Sequence, residues 1–85
     1  MKKTRILGIY INNRVMDAVL VQDILTRYGC SIKTRLGLHE VTNEHCSTTG
    51  LILLELTGEE KEMDDLERDL KGVAELQIQK MEFNG

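Results

Sequence analysis

The chain has 85 residues, of which 41% are apolar and 29% are charged, and its formal net charge is −3. These values fit one ordinary globular domain over residues 1–85 and exclude a disordered polymer. The longest apolar run, Leu51 to Leu54, is far shorter than the roughly 18 residues of a membrane-spanning helix. The negative charge also lacks the basic footprint of a nucleic-acid-binding domain, so no direct DNA binding is expected. No apolar stretch of signal-peptide length follows Met1, which predicts a cytoplasmic protein with free thiols.

Sequence periodicity predicts a strand followed by a helix in the first third of the chain. Thr4 to Ile11 is rich in aliphatic residues on both faces, as in a central strand. Asn12-Asn13 supplies turn and helix-cap chemistry. The apolar spacing from Arg14 to Tyr28 predicts a helix. Gly29 is predicted to end that helix in the left-handed conformation that glycine adopts most easily.

Alternation of side chains predicts a second strand from Cys30 to His39. Strict alternation puts Ile32 and Leu36 on one face and Lys33 and Arg35 on the other. Cys30, at the start of this strand, is predicted to be a small buried residue.

Two further strands and a second helix are predicted beyond a polar loop over Val41 to Thr49. Gly50 to Thr57 is a strongly apolar strand. Glu59 to Lys71 has helical spacing with acidic residues in its first turn, and Gly72 is its predicted stop. Val73 to Phe83 is the last strand, with Gln77 and Gln79 facing outward in alternation with apolar residues.

The element order βαββαβ predicts an α+β, ferredoxin-like domain with a four-stranded antiparallel sheet. Right-handed crossovers place both helices on one face, with the first and third strands central. The opposite face, here called the bare face, then has an aliphatic centre and a polar rim that includes Lys33, Arg35, Gln77 and Gln79. Such a composition is typical of a protein interface, so we expect a homodimer or homotetramer built through the sheet.

Charged residues near the start and in the second helix suggest only surface roles. Lys2, Lys3 and Arg5 form a small basic patch that is predicted to be a solubilising tail. Glu67 and Lys71 are spaced for an exposed ion pair worth a few tenths of a kcal/mol.

Catalytic chemistry is not indicated by any motif. Neither Cys30 nor Cys46 has a sequence-adjacent base, and no glycine-rich phosphate loop is present. We therefore predict no enzymatic activity and no cofactor. His39, His45 and Cys46 are the residues from which a soft metal site could be built, but their spacing matches neither CxxC nor a helical HxxxH pair. A metal-binding sensor or carrier using these three residues is the alternative function.

The segment Arg35-Leu36-Gly37, following a helix and Ser31-Ile32 and preceding a polar loop and Leu51-Ile52-Leu53-Leu54, resembles the iron-only hydrogenase system regulators. The similarity extends from Ile6 through Met81 and includes the Leu66–Leu70 helix and Gly72-Val73. That family is similar to ACT domains and to the C-terminal sensor domain of the nickel-responsive repressor. The resemblance implies sheet-mediated oligomers, small-ligand sensing at subunit junctions and a link to the iron-only hydrogenase system.

The chain departs from the nickel sensor at its metal ligands. His39 lies near the position of the sensor's second-strand histidines, but Gly50 occupies roughly the position of its cysteine, and Cys46 is displaced into the loop. The repressor's DNA-binding arm has no counterpart in the sequence. We expect Asn12 and Asn13, at the first strand-to-helix turn, to form a small-ligand site with Arg35 and His39 on the bare face.

The metal alternative has a direct test in Cys46→Ser. A functional site would bind zinc or nickel stoichiometrically and lose that binding in the variant, since three donors leave none to spare. We expect at most weak binding and little change on substitution. Calorimetric titration of both proteins with each metal at neutral pH measures this, and submicromolar binding that disappears in Cys46→Ser contradicts it.

Overall fold

A computed structural model of the chain describes residues 3–11, 14–38, 50–73 and 76–84, with side chains for all of these except 14–18 and 38. The elements are β1 (Lys3–Ile11), α1 (Arg14–Arg27), a 3-10 turn (Gly29–Ser31), β2 (Ile32–Leu38), β3 (Gly50–Leu56), α2 (Glu60–Lys71) and β4 (Leu76–Asn84).

The four strands form one sheet in the order β2-β3-β1-β4, and every neighbouring pair is antiparallel. This arrangement confirms the predicted ferredoxin-like βαββαβ fold with β1 and β3 at the centre. Predicted and observed boundaries differ most at β4, which begins at Leu76 rather than Val73.

A single core lies between the sheet and both helices, so the helices share one face as predicted. Alternate residues of β1 and β3 point into the core, and so do α1 and α2 residues spaced three or four apart. The buried apolar residues are Leu7, Ile9, Ile11, Val21, Ile24, Leu25, Leu54, Leu56, Met63, Leu66 and Leu70.

The junction between α1 and β2 differs from the prediction. Gly29 begins a 3-10 turn, and the positive-φ glycine found in the described ranges is Gly58 instead, at φ 92°. The Ser31 amide donates to the Tyr28 carbonyl at 2.9 Å, so the turn satisfies the helix end without a left-handed residue. Cys30 lies in this turn and is exposed, which makes the prediction of a buried thiol wrong.

Arg5 is a buried cation on the helix-facing side of β1, and the residue is 2% exposed. Its Nε and Nη2 lie 3.0 and 2.9 Å from Glu82 Oε2 on β4. Its Nη1 lies 2.8 Å from Asp64 Oδ1 and 3.3 Å from Glu67 Oε1, both on α2. The prediction that Arg5 belongs to a solubilising tail is therefore wrong, because its guanidinium joins β1, β4 and α2.

Glu67 is the buried anion of the same cluster, with 8% of its side chain exposed. Its Oε2 lies 2.9 Å from Lys71 Nζ and 3.2 Å from Lys80 Nζ. The predicted pair with Lys71 therefore forms, but at a buried carboxylate rather than on a solvated surface. Burial alone raises the pKa of the Glu67 carboxyl, but the hydrogen bonds from Lys71 and Lys80 outweigh burial and hold that pKa below its usual value.

Acid should weaken the fold through Glu67. Folding lowers its pKa, so the unfolded chain binds more protons around pH 4, and stability falls as pH drops through the folded-state pKa. At pH 7, Glu67→Gln should lower the free energy of unfolding by about 1.5–3 kcal/mol, because charge-assisted hydrogen bonds are lost. The difference from the wild type should shrink below about pH 4.

Urea denaturation between pH 7 and pH 3 measures this effect. Glu62→Gln, on an exposed residue of the same helix, is the matched control and should remain close to the wild type at every pH. A gap between Glu67→Gln and the wild type that does not change with pH contradicts the assignment.

Candidate functional site

The bare face of the sheet has an apolar surface that crosses all four strands. The register pairs Tyr10 with Leu51 and Gly8 with Leu53 on one side of β1, and it pairs Ile6 with Met81 on the other. Directly paired residues of antiparallel strands share a face. The apolar members of the bare face are Ile6, Tyr10, Leu36, Leu51, Leu53, Met81 and Phe83.

Several large side chains on this face are open to solvent in the single chain. Tyr10 is 38% exposed, Leu36 50%, Met81 55% and Phe83 52%. Clustered exposure of this kind on one surface is typical of interaction sites. Met81 and Phe83 were not predicted members of this face, although they alternate along β4 in step with Gln77 and Gln79.

The rim of the bare face is polar and nearly uncharged. Gln77 and Gln79 are exposed there, as predicted. At the opposite edge, the Thr34 hydroxyl donates to Glu55 Oε1 at 2.9 Å, and Lys33 Nζ lies 3.8 Å from Glu55 Oε2. Glu55, on the central strand β3, is the one carboxylate that the register places on the bare face within the described ranges, and the Lys33 ammonium lies beside it.

A β-bulge between Ile32 and Thr34 reverses the faces of β2. Ile32 pairs with Leu56 and packs against the core, whereas Leu36 pairs with Leu53 on the bare face. Arg35 pairs with Leu54, a core residue, and so lies on the helix-facing side of the sheet edge, where it is exposed. The prediction that Arg35 lies on the bare face is wrong, because it assumed strict alternation through the strand.

The predicted small-ligand site can be placed only in part. Asn12, Asn13 and His39 lie outside the described residues. Arg35 pairs with Leu54 of β3, whereas Ile11, the last residue of β1, pairs with Gly50. Leu54 and Gly50 are four residues apart, which is about 13 Å along the strand. Two strand spacings, about 10 Å, separate β2 from β1 across the sheet. Arg35 therefore lies far from the β1 end within one chain, and a shared site would need a second copy.

The predicted alternative metal ligands, His39, His45 and Cys46, all lie outside the described residues. Within residues 3–11, 14–38, 50–73 and 76–84, no group of three or more histidine, cysteine or acidic side chains is arranged to hold a metal ion. In the same ranges, no helix is both long and apolar enough to span a bilayer.

A groove of about 610 Å³ lies between α1 and the end of α2. Asp69 of this groove accepts a hydrogen bond from the Tyr28 hydroxyl at its Oδ2, at 2.6 Å. That bond to the carboxylate, supported by burial, raises the pKa of the Tyr28 phenol. The groove is lined by Leu20, Asp23, Ile24, Arg27, Asp69, Gly72 and Val73. This mixture of opposite charges defines no one class of ligand.

No family model and no curated protein matches the chain. Among solved structures, the uncharacterized protein TM1266 from Thermotoga maritima is similar with a TM-score of 0.81 and 19% identity, covering 99% of this chain and 100% of the other. The nitrogen regulatory PII-like protein CPII from Thiomonas intermedia K12, bound to ADP, AMP and bicarbonate, has a TM-score of 0.57 and 13% identity, with 98% and 94% covered. CutA1 from Oryza sativa has a TM-score of 0.60 and 13% identity, with 99% and 83% covered.

These similarities establish the class of the protein as ferredoxin-like in fold. At such low identity they establish the fold alone, because many unrelated functions use it. None of the three proteins is described as part of an iron-only hydrogenase system. That affiliation is carried only by the resemblance of the sequence.

Proposed function

We propose that this protein is a non-enzymatic regulatory domain that self-associates through the bare face and senses a small ligand at the junction between copies. The observation that carries the proposal is the continuous apolar surface from Leu36 to Phe83 across the sheet. We further propose that the protein acts in the iron-only hydrogenase system, because its sequence resembles the regulators of that system, and that it is located in the cytoplasm.

Self-association is supported by the distribution of charge. The chain carries 25 charged residues, yet Glu55 is the one acidic or basic residue that the register places on the bare face within the described ranges. Two copies can therefore pack these faces together with little desolvation of charge. A chain of 85 residues also buries a smaller share of its surface than a larger domain does, so covering this face adds stability.

Ligand sensing is supported by the nature of one structural neighbour. CPII is described as nitrogen regulatory and is bound to ADP, AMP and bicarbonate, which are anionic small molecules. Arg35 offers this chain an exposed guanidinium at the sheet edge, suited to such an anion. We assign it to the ligand site together with Asn12, Asn13 and His39. Because Arg35 lies on the helix-facing side of the β2 edge, the copy that completes this site meets that edge, whereas the bare faces join a different pair of copies. The ligand would act by favouring one arrangement of the oligomer, which a partner protein recognises.

Self-association is tested by Tyr10→Asp, which places a charge at the centre of the bare face. We expect the wild type to sediment as a dimer or larger at micromolar concentration and the variant to sediment as a 9.7 kDa monomer. The reason is the cost of burying an unpaired carboxylate, several kcal/mol. Val19→Asp, at a 61% exposed residue of α1, is the matched control and should leave the assembly intact. A monomeric wild type, or equal dissociation by both variants, contradicts the proposal.

Ligand sensing is tested by calorimetric titration with ADP, AMP and bicarbonate. We expect at least one to bind the wild type and Arg35→Ala to weaken that binding about 10- to 100-fold, since a charge-assisted contact is lost. Lys33→Ala removes a neighbouring exposed cation and is the control expected to bind normally. Equal weakening by both variants, or no binding of any of the three compounds, contradicts this assignment.

A further inference from the structure

Gly8 lies at the centre of the bare face, in the interior of the central strand β1. We infer that Gly8 forms a hollow that receives Tyr10 of the partner subunit when two copies pack bare face to bare face. This inference rests on the proposed self-association and specifies its geometry.

The single chain does not itself require glycine at this position. A Cβ added to Gly8 would meet Leu53 Cδ2 at 3.7 Å, an ordinary van der Waals contact. The backbone there is regular paired strand, and the positive φ in the described ranges belongs to Gly58. Glycine in a strand interior is destabilising relative to alanine, and it often marks the close approach of another molecule.

The surroundings of Gly8 make this position a hollow rather than a flat surface. Leu53 and Gln79 lie beside it on the neighbouring strands, and Ile6 and Tyr10 lie two residues away along β1. Each of these four has a full-sized side chain that stands roughly perpendicular to the sheet. The missing side chain therefore leaves a depression with mainly apolar walls.

A second copy of this chain fits the hollow because the bare face carries the matching projection. Tyr10 is 38% exposed and lies on the same face of the same strand, about 7 Å from Gly8. Consider a two-fold axis that lies between two packed sheets and runs perpendicular to β1 at the level of Ile9. It places the Gly8 of each copy opposite the Tyr10 of the other copy. Packed sheets lie about 10 Å apart, a spacing that a tyrosine opposite a glycine can fill. Such a surface is self-complementary, as a two-fold interface requires.

Charge supports the same occupant. Glu55, which pairs with Ile6, and the adjacent Lys33 contribute one charge of each sign beside the hollow, and the residues that line the hollow carry none. An identical face therefore meets no like-charge repulsion at the centre, despite the net charge of −3 on each chain.

The β-bulge in β2 is an independent observation that points to the same surface. It moves Leu36 onto the bare face beside Leu53, where half of the Leu36 surface is exposed in the single chain. Bulges redirect side chains toward functional surfaces. The redirected leucine extends the apolar wall on the Leu53 side of the hollow.

Gly8→Ala and Gly8→Val separate the two roles, since the expected effects on folding and on association have opposite signs. We expect both variants to be as stable as, or more stable than, the parent in urea denaturation of a monomeric Tyr10→Asp background. In the native background, Gly8→Val should raise the dimer dissociation constant at least tenfold, with Gly8→Ala intermediate. Sedimentation over a dilution series measures this constant.

Gly37→Ala is the matched control. Gly37 is also a strand glycine with room for a Cβ, but its pairing with Ile52 places it on the helix-facing side of β2. It should leave the dissociation constant unchanged. If Gly8→Val does the same while Tyr10→Asp dissociates the assembly, the hollow is refuted and the proposed function stands. If the wild type is monomeric at all concentrations, both are refuted.

Discussion

The corner where β1, β4 and α2 meet depends on compensation of the buried charge of Arg5. A buried guanidinium is tolerated only with carboxylates around it, and β4 supplies Glu82 while α2 supplies Asp64 and Glu67. Burial favours the neutral form of this guanidinium, but the hydrogen bonds to Asp64 and Glu82 outweigh it and raise the Arg5 pKa further. The geometry of α2 over the sheet is thereby tied to that of the last strand. With the helices fixed on this side, the opposite face of the sheet is left for other contacts.

The order of the elements and most of the core could be predicted because periodicity reports burial directly. Leu7 and Ile9 alternate, Met63, Leu66 and Leu70 recur at helical spacing, and all five are buried. The role of Arg5 could not be predicted in this way. Next to Lys2 and Lys3 it resembles a solvated terminus, and its carboxylate partners lie 59 to 77 residues away in the sequence.

The bare face was predicted in character but not in detail. Alternation alone correctly placed Gln77 and Gln79 outward, because β4 pairs with β1 without a register shift. It failed at Arg35 and Leu36, because the bulge between Ile32 and Thr34 shifts every later side chain of β2 to the opposite face. A one-residue irregularity of this kind leaves no mark in composition or hydrophobic spacing. The sequence signal for a ligand site at Asn12, Asn13 and His39 falls outside the described residues.

The charges that anchor β4 also bear on how the sheet can grow. β4 is a nine-residue edge strand, and such edges invite pairing with further strands. Lys80 and Glu82 project from it toward α2 and are held there by Glu67 and Arg5. An additional strand paired with β4 would lie beside these charged groups and would desolvate them. The same ion pairs that secure the last strand therefore oppose the addition of further strands along that edge, while the bare face stays available for contacts.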